Sequence, residues 1–373
     1  MKAATSLREL LSTRKVVVCC GAGGVGKTTT AAALGVATAR MGRRVLVLTI
    51  DPARRLAQAL GIDADGREPV SLPADKLAQA GIQPPGELHA WMLNPRVVFE
   101  NLITRLAESP EAARRVLDTA LFGHLSRLVA GMQEYTAAEA LYELSTSGRY
   151  DLVVLDTPPS RNALDFLDAP GRLSRFLDER ILALFLPERP RFVLLRKAAE
   201  RVTDVLTRIF GEHFLKEMQE FLVVSRGLFG PMRRHADEVR KLLSSSDATF
   251  LLVTTSEEAA LAEARYFRAR LAALKLPFAG FVLNRSWAFA AAEAAPWDLK
   301  LPASAPLELQ AGLRKLEGLA RQEKAWADRD RAFMEDLRRE LSADGLAVAT
   351  PDLGDSLDDV RGLASLAESL AAA

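Results

Sequence analysis

The chain has 373 residues, of which 26% are charged and 49% hydrophobic, and its formal net charge is +1. This length allows one large domain or a domain with a sizeable insertion. A charge so close to neutral excludes a global attraction to nucleic acid or to an anionic membrane surface. No uncharged apolar run reaches the ~18 residues of a membrane span. The charged N-terminus lacks the apolar core of a signal peptide, so a cytoplasmic protein with at most peripheral membrane association is expected.

Short apolar runs alternate with longer helical patterns along the chain. We predict strands at residues 15–20, 43–50, 88–94, 151–156, 249–255, 278–284 and 346–350. Near-continuous apolarity within these runs is typical of parallel strands that are covered on both faces. The sequence therefore predicts an α/β fold with a mostly parallel sheet wrapped by helices on both faces. Ligands of such folds bind beyond the carboxyl ends of the strands.

A glycine-rich segment follows the first predicted strand and precedes a segment that is predicted to be a helix. It fits the pattern G-x-x-x-x-G-K-[ST] in full, from Gly21 to Thr28. In that pattern the backbone amides form a nest for phosphate, the lysine reaches the β- and γ-phosphates, and the hydroxyl ligates Mg²⁺. The strand–loop–helix setting disfavours an accidental glycine turn. The residues expected to contact a nucleotide here are Gly21, Gly23, Gly24, Val25, Gly26, Lys27, Thr28 and Thr29.

Two aspartates end later predicted strands, at the edge of the sheet where chemistry is expected. Asp51 ends the second strand and is followed by Pro52, whereas Asp156 ends the strand at 151–156. We assign Asp156 to the Mg²⁺ shell, through water, and Asp51 to orienting or deprotonating the attacking water. Either residue alone is more often a helix cap or a turn residue. Their occurrence together with the phosphate loop favours the functional interpretation.

The spacing of the later strands predicts a helical insertion. Roughly 90 residues separate Asp156 from the next strand, far more than one crossover helix requires. Residues 165–245 therefore form the predicted insertion, and helical stretches are also expected at 96–147 and 305–341. The motif GLFGP at 227–231 is expected to end a helix. Within the insertion an apolar stripe with helical spacing comprises Phe210, Phe214, Met218, Phe221 and Leu222.

These segments together resemble the ArsA-like ATPases, a deviant P-loop family that contains the arsenite-pump ATPase and the ATPase targeting tail-anchored membrane proteins. GAGGVGKTTTAAALG resembles the family's P-loop, TIDPARRL its switch I and DTPPSRNALDFLDAP its switch II. FVLNR resembles the strand whose asparagine contacts adenine, here Asn284. TPDLGDSLDDVRGLASL resembles the C-terminal segment that flanks the base, here with Pro351 and Asp352. The resemblance implies ATP and Mg²⁺ as ligands, ATP hydrolysis and a dimer.

The predicted organisation follows from this resemblance. Core segments of the P-loop NTPase fold alternate with helical segments, and the helical insertion after switch II is a candidate client-binding subdomain. The core segments are 1–95, with the P-loop and switch I, 148–164, with switch II, 246–287, with the adenine-contact strand, and 342–373, with the adenine-flanking segment. The helical segments are 96–147, 165–245 and 288–341.

One departure from the family pattern concerns catalysis. The family carries a lysine directly after the first P-loop glycine, and this lysine reaches the nucleotide of the partner subunit. Here that position is Ala22. Phosphate binding within one subunit should survive, since it depends on backbone amides and Lys27, but slow turnover is expected. Arg54 or Arg161 could replace the missing cation, although either could equally be a solvent-facing arginine.

Further departures concern metals. The Cys-x-x-Cys pair that shares zinc across dimers of the eukaryotic targeting ATPases is missing after Asn284, and the four histidines show no ligand spacing. The dispersed cysteines that bind metalloid in the pump ATPase are also absent. Cys19 and Cys20, the chain's two cysteines, are strand neighbours that point to opposite faces, so no disulfide is expected. We predict no zinc and no metalloid activation.

Several uses of such an ATPase stay open at this point. Nucleotide-driven dimer closure could control binding of a hydrophobic helical or membrane-protein client, with the stripe of the insertion lining a groove. Alternatively, the chain is a slow nucleotide-dependent switch for a folded protein partner, or one subunit of a heteromer with a lysine-bearing paralogue. Nucleic-acid packaging is weaker because no basic stripe stands out. An iron–sulfur carrier would need more cysteines, and metabolic P-loop kinases usually lack this switch I and C-terminal segment.

Overall fold

The structure is a computed structural model of the 373-residue chain. It describes residues 6–50, 55–62, 67–119, 122, 132–157, 171, 208, 211–213, 216–289, 302, 305–341, 345–354 and 359–371.

Eight strands of the described chain form one sheet in the order β3-β4-β2-β5-β1-β6-β7-β8. They are β1 (Val16–Cys20), β2 (Arg44–Thr49), β3 (Val70–Ser71), β4 (Glu87–Met92), β5 (Leu152–Asp156), β6 (Ala248–Thr254), β7 (Phe278–Ser286) and β8 (Leu346–Pro351). All neighbours are parallel except β3, which runs antiparallel to β4. The predicted parallel α/β fold is confirmed, with each predicted strand displaced by at most two residues.

The edge strand β3 is not predicted from the sequence. It has two residues and lies within the polar segment between β2 and β4. Such a strand forms because Val70 and Ser71 find partners on β4, and it carries no apolar run of its own.

Helices cover both faces of the sheet. On one face lie α1 (Leu7–Thr13), α2 (Lys27–Arg40), α3 (Arg55–Leu60) and the C-terminal helix α11 (Val360–Ala371). The other face is covered by α7 (Met132–Thr146), α8 (Arg226–Leu243), α9 (Glu258–Ala273) and the end of α10 (Leu307–Glu340). Three further helices are α4 (Ala74–Gln79), α5 (Pro95–Leu106) and α6 (Pro110–Leu117), and residues 216–224 are also helical. No helix of the described residues is long and apolar enough to cross a membrane.

The two cysteines show how the sheet separates these layers. Cys19 belongs to the apolar cluster on the α2 face, whereas Cys20 belongs to the cluster on the α7 face. Both thiols are free and buried, and burial raises the pKa of Cys20 to about 12. The prediction that they point to opposite faces and form no disulfide is confirmed.

A third apolar cluster lies away from the sheet, between α5, α6, α7 and α8. It contains the residues Phe99, Leu102, Ile103, Ala113, Val116, Phe122, Tyr135, Leu222, Leu228, Phe229, Met232 and Ala236. We call this region the helical layer. Leu222 from the apolar stripe of the insertion is buried in it, and Met218 and Phe221 pack against it. Phe210 and Phe214 lie outside the described residues.

The helical run at 216–224 ends just before GLFGP, as expected, but the motif itself is helical and not a break. Residues 216–224 are helical, the turn falls at Ser225, and GLFGP occupies the first turns of α8, with Pro231 inside the helix. Leu228 and Phe229 of this motif and the adjacent Met232 are buried in the helical layer. The burial of these side chains outweighs the cost of glycine and proline in the helix.

Candidate nucleotide-binding site

The segment from Gly21 to Thr28 connects the end of β1 to the start of α2 and lies close to neighbouring strands. A Cβ on Gly21 would lie 2.1 Å from the Val253 carbonyl oxygen of β6. Gly26 has φ of 88°, and a Cβ there would lie 2.1 Å from Nδ2 of Asn284 on β7. Only glycine fits so close to a carbonyl, or with this left-handed backbone conformation against a buried side chain. Gly23 and Gly24, at the mouth of the loop, are exposed.

Helix α2 begins at Lys27, inside this loop, without a side-chain cap. Gly26 is its N-cap residue and supplies no side-chain hydrogen bond to the amides of the first turn. The first amides of a helix lack intrahelical partners and carry the positive end of the helix dipole. Together with the glycine cradle, they form a site that fits the phosphates of a nucleotide.

Lys27 places its cation inside this loop. Its side chain is 7% exposed, and Nζ donates a hydrogen bond to the Ala22 carbonyl oxygen at 2.7 Å. Burial lowers the pKa of the Lys27 ammonium, while the nearby Asp156 carboxylate opposes that shift. A desolvated ammonium within a nest of amides is suited to bind an anion, which would replace the lost hydration.

Asp156 joins the loop to the ends of two strands. Its Oδ2 accepts hydrogen bonds from Thr28 Oγ1 at 2.6 Å and from Thr49 Oγ1 at 2.9 Å. Thr49 lies directly opposite Asp156 in the pairing of β2 with β5. The structure thus brings together Thr28 and Asp156, which are 128 positions apart. A carboxylate beside hydroxyl oxygens is a donor set that suits Mg²⁺.

Thr49 is a site residue that the sequence analysis did not predict. Its signal was available, because Thr49 is the last residue of β2 just as Asp156 is the last residue of β5. In a parallel sheet, the carboxyl ends of adjacent strands lie side by side.

Asn284 lies at the same edge and is 3% exposed. Its Nδ2 donates to the Val25 carbonyl oxygen at 2.8 Å, and its Oδ1 accepts from Thr350 Oγ1 at 2.8 Å. A side-chain amide offers two donor hydrogens and two acceptor lone pairs. One of each remains after these two bonds, and these are the groups that a contact with adenine would use; that contact stays a prediction.

The C-terminal residues expected at the base lie beside Asn284. Pro351 ends β8, directly after Thr350, and is paired in register with Ser286 of β7. Asp352 follows at the exposed edge, where Oδ1 accepts a hydrogen bond from the Gly354 amide at 3.1 Å. Their contact with a base stays a prediction.

Other predicted residues lie outside the described part of the chain. Asp51, Arg54 and Arg161 belong to this group, so their roles stay predictions. Among the described residues, no group of three or more His, Cys, Asp or Glu side chains could hold a metal ion. Residues 290–300 belong to the stretch after Asn284 in which the family's zinc pair is expected; they are not described, and the absence of zinc stays a prediction.

Comparisons with known proteins extend these observations. The family model for anion-transporting ATPases, ArsA_ATPase, matches residues 14–296. The "Uncharacterized protein SCO2128" of Streptomyces coelicolor is 34% identical over 51% of this chain and 43% of its own length. The "Putative arsenical pump-driving ATPase 1" of Aquifex aeolicus is 23% identical over 65% of this chain and 56% of its own length. "ATPase GET3" of Malassezia globosa is 29% identical over 44% of each chain.

The chain therefore spans about two fifths to three fifths of the length of these relatives. The family model covers far more than half of the chain, including β1, the phosphate loop, β5 and Asn284. Its match agrees with the parallel sheet and with the loop that the structure places at the sheet's carboxyl edge. On these grounds the chain belongs to the anion-transporting ATPase family, ArsA.

Proposed function

We propose that the chain binds Mg-ATP at the carboxyl edge of the sheet and hydrolyses it to ADP and phosphate. The observation that carries the proposal is the uncapped N-terminus of α2, with the Lys27 ammonium inside the loop and the Thr28–Asp156 pair beside it. This arrangement supplies amides and a cation for phosphate, and oxygen ligands for a metal.

Each group would have a separate task. The loop amides and Lys27 bind and orient the phosphates, while Thr28 and Asp156 hold the metal, the latter through water. Bound Mg²⁺ would neutralise charge on the transferred phosphoryl group. Asp51 would orient or deprotonate the attacking water, because it is two positions after Thr49, the last residue of β2, in the sequence.

Calorimetry of two lysine variants tests the binding site. Lys27→Ala should abolish Mg-ATP binding because it removes the cation inside the loop. Lys15→Ala is the matched control, since Lys15 is an exposed residue paired with Asp247 at 2.9 Å, before the start of β1. Equal ATP affinity of the parent and the Lys27 variant would refute the site.

Asp51→Asn separates hydrolysis from binding. It should retain nucleotide affinity while turnover falls by about two orders of magnitude, as expected for the loss of a water-positioning carboxylate. Parental turnover of this variant would refute the role of Asp51.

We further propose that nucleotide-driven closure of a dimer controls binding of a hydrophobic or membrane-protein client. Membership of the family supports this use, and the apolar stripe of the insertion offers the surface. In the described residues, Leu222, Met218 and Phe221 face the helical layer, so they would have to be uncovered before a client binds. Proteins retained by the ATP-bound Asp51→Asn variant provide the test. Proteins with transmembrane tails support a client, a folded soluble protein supports a switch, and a paralogue supports a heteromer.

Ala22 bears on the choice between these assemblies. It is 8% exposed, and its carbonyl oxygen is the acceptor for Lys27. Slow turnover of the pure homodimer is expected if no other cation replaces the family's lysine. Ala22→Lys should raise turnover in a concentration-dependent way if two copies meet across their nucleotides. Without a rise, substitution of Arg54 and Arg161 tests whether an arginine already acts there, and turnover only with a lysine-bearing paralogue supports the heteromer.

A further inference from the structure

We propose that Thr350 is a positioning residue that fixes the Asn284 amide, so that the base site and the phosphate loop form one hydrogen-bonded unit. The inference rests on the proposed nucleotide binding and assigns a role to Thr350, the first residue of the motif TPDLGD, for which the sequence predicts none. Its consequence is that the choice of base and the binding of phosphate depend on the same hydroxyl group.

The unit is a chain of two buried hydrogen bonds across three segments. Thr350 Oγ1 on β8 donates to Asn284 Oδ1 on β7, and Asn284 Nδ2 donates to the Val25 carbonyl oxygen in the loop, each at 2.8 Å. Thr350 is fully buried, and Asn284 and Val25 are each 3% exposed. Water therefore offers little competition for either bond, and a lost partner would leave a buried polar group unsatisfied.

The partners determine which way the Asn284 amide points. A backbone carbonyl only accepts hydrogen bonds, so Nδ2 must face Val25. Oδ1 then faces Thr350, whose hydroxyl can donate to it. The reversed amide would place Oδ1 against the Val25 carbonyl oxygen, two acceptors in contact. The protein thus sets the orientation before any nucleotide binds.

This orientation has a consequence for the base. The N6 amino group and N7 of adenine match one acceptor and one donor of an asparagine amide, whereas guanine presents two acceptors at O6 and N7. An amide that is free to turn could still offer its NH₂ group to guanine. Held by Thr350 and Val25, Asn284 offers its remaining acceptor and donor in fixed places, which match both N6 and N7 of adenine, whereas guanine has a partner only for the donor.

The same side chain contacts the phosphate loop directly. A Cβ on Gly26 would lie 2.1 Å from Asn284 Nδ2, so the amide packs against the backbone at the start of α2. Gly26 is the N-cap residue of that helix, next to Lys27. Movement of Asn284 would therefore shift the amides that bind phosphate, even for a ligand that has no base.

Calorimetry with Mg-ATP, Mg-GTP and Mg-tripolyphosphate tests the proposal. Thr350→Val keeps the size of the side chain and removes its donor, and Thr350→Ser restores the donor. Thr38→Val is the matched control, because Thr38 is a fully buried threonine whose hydroxyl donates to the Leu34 carbonyl oxygen within α2.

We expect Thr350→Val to weaken ATP binding by about ten- to a hundredfold, the effect of leaving a buried acceptor unsatisfied. The preference for ATP over GTP should shrink, tripolyphosphate binding should weaken at least threefold, and Thr350→Ser should restore all three. Thr38→Val should keep the parental affinities. Thr350→Ala removes the same donor without placing a methyl group against Asn284 Oδ1, so either variant that folds decides the question.

Two outcomes overturn the inference while leaving the proposed function intact. In one, the parent binds Mg-ATP and both Thr350 variants keep its affinities for the three ligands. In the other, ATP binding weakens while tripolyphosphate binding is unchanged, which would confine Thr350 to the base. A parent that binds neither ATP nor tripolyphosphate would refute the proposed function itself.

Discussion

The carboxyl edge of the sheet and the helical layer are built by different means. At the sheet edge, short polar side chains are buried and joined by individual hydrogen bonds, as in the pairs Thr28–Asp156 and Thr350–Asn284. The helical layer is held by an apolar cluster from α5, α6, α7 and α8. The structure of the sheet edge depends on the type and position of single polar atoms. The packing of the helical layer depends mainly on the total volume of its apolar side chains.

Among the described residues, the helical layer also contains a buried carboxylate with charged and ionisable neighbours. Glu139 of α7 is 1% exposed and lies against Arg105 of α5 and His235 of α8, with 2.6 Å between Glu139 Oε2 and His235 Nε2. Arg105 also contacts Glu143 at 3.0 Å. These contacts, which we call the ion cluster, join α5, α7 and α8 at one buried carboxylate.

This difference predicts which substitutions should affect activity and which should affect stability. Volume-conserving exchanges in an apolar cluster usually cost less than about 1.5 kcal/mol. Removal of one partner from a buried polar pair costs about 1–3 kcal/mol, because the remaining group stays desolvated. Substitutions at the sheet edge should therefore affect activity first, and those in the helical layer stability first.

The largest expected effect follows from Asp156→Asn. This change removes the charge that accepts hydrogen bonds from Thr28 and Thr49 and that would hold the metal. Turnover should fall by about a hundredfold or more, and the Mg²⁺ concentration needed for activity should rise. Phosphate release measured across a Mg²⁺ titration checks this. An unchanged Mg²⁺ dependence would contradict the assignment.

A pair of glycine variants isolates steric fit within the loop. Gly26→Ala combines backbone strain with a clash against Asn284, whereas Gly24→Ala has similar strain, at φ of 80°, with no atom within 4 Å of the new Cβ. Strain alone costs about 1–3 kcal/mol, so both should weaken ATP binding. Gly26→Ala should weaken it at least tenfold more, as measured by calorimetry. Equal losses would mean that contact with Asn284 is unimportant.

The ion cluster of the helical layer provides the next test. Arg105→Gln leaves the buried Glu139 carboxylate with one cationic neighbour fewer, and should lower the free energy of unfolding by about 1–3 kcal/mol. Arg96→Gln is the control, because Arg96 pairs with Glu100 on the exposed side of the same helix and such pairs contribute about 0.3–0.5 kcal/mol. Urea denaturation of both variants checks the difference. An equal loss would remove the contrast between buried and exposed charge.

The smallest effect concerns an ion pair at the opposite end of the sheet. The hydrogen bond from Arg44 lowers the pKa of Asp151 below its ordinary value. Its contribution is present above the unfolded-state pKa, near 3.9, and is lost as the pH falls through the lower folded-state value. Between pH 6 and pH 3 the urea midpoint of the parent should fall slightly more than that of Asp151→Asn. An identical decline in both proteins would show that this exposed pair contributes nothing measurable.

Local patterns in the sequence predict much of the site. Gly21 to Thr28 follows a strand and opens a helix, and this order alone predicts the loop, its lysine and its hydroxyl. Asp156 is predicted by its position at a strand end and by the switch II motif, whereas Asn284 is predicted only by the resemblance of FVLNR to the family motif. The actual partners of Asn284 are not predictable in this way, because Val25 and Thr350 meet it only when β7 and β8 lie beside the loop.

What the sequence by itself determined is the fold class, seven of the eight strands and the phosphate loop, since each depends on apolar runs or on residues close together in the chain. Tertiary structure alone decided the remaining features. It paired β3 with β4, continued α8 through GLFGP and joined Thr49 to Asp156. These outcomes depend on burial and on strand register, which bring together residues that no local spacing relates. A two-residue strand, a proline within a helix and a threonine hydroxyl acquire their roles only from the neighbours that folding supplies.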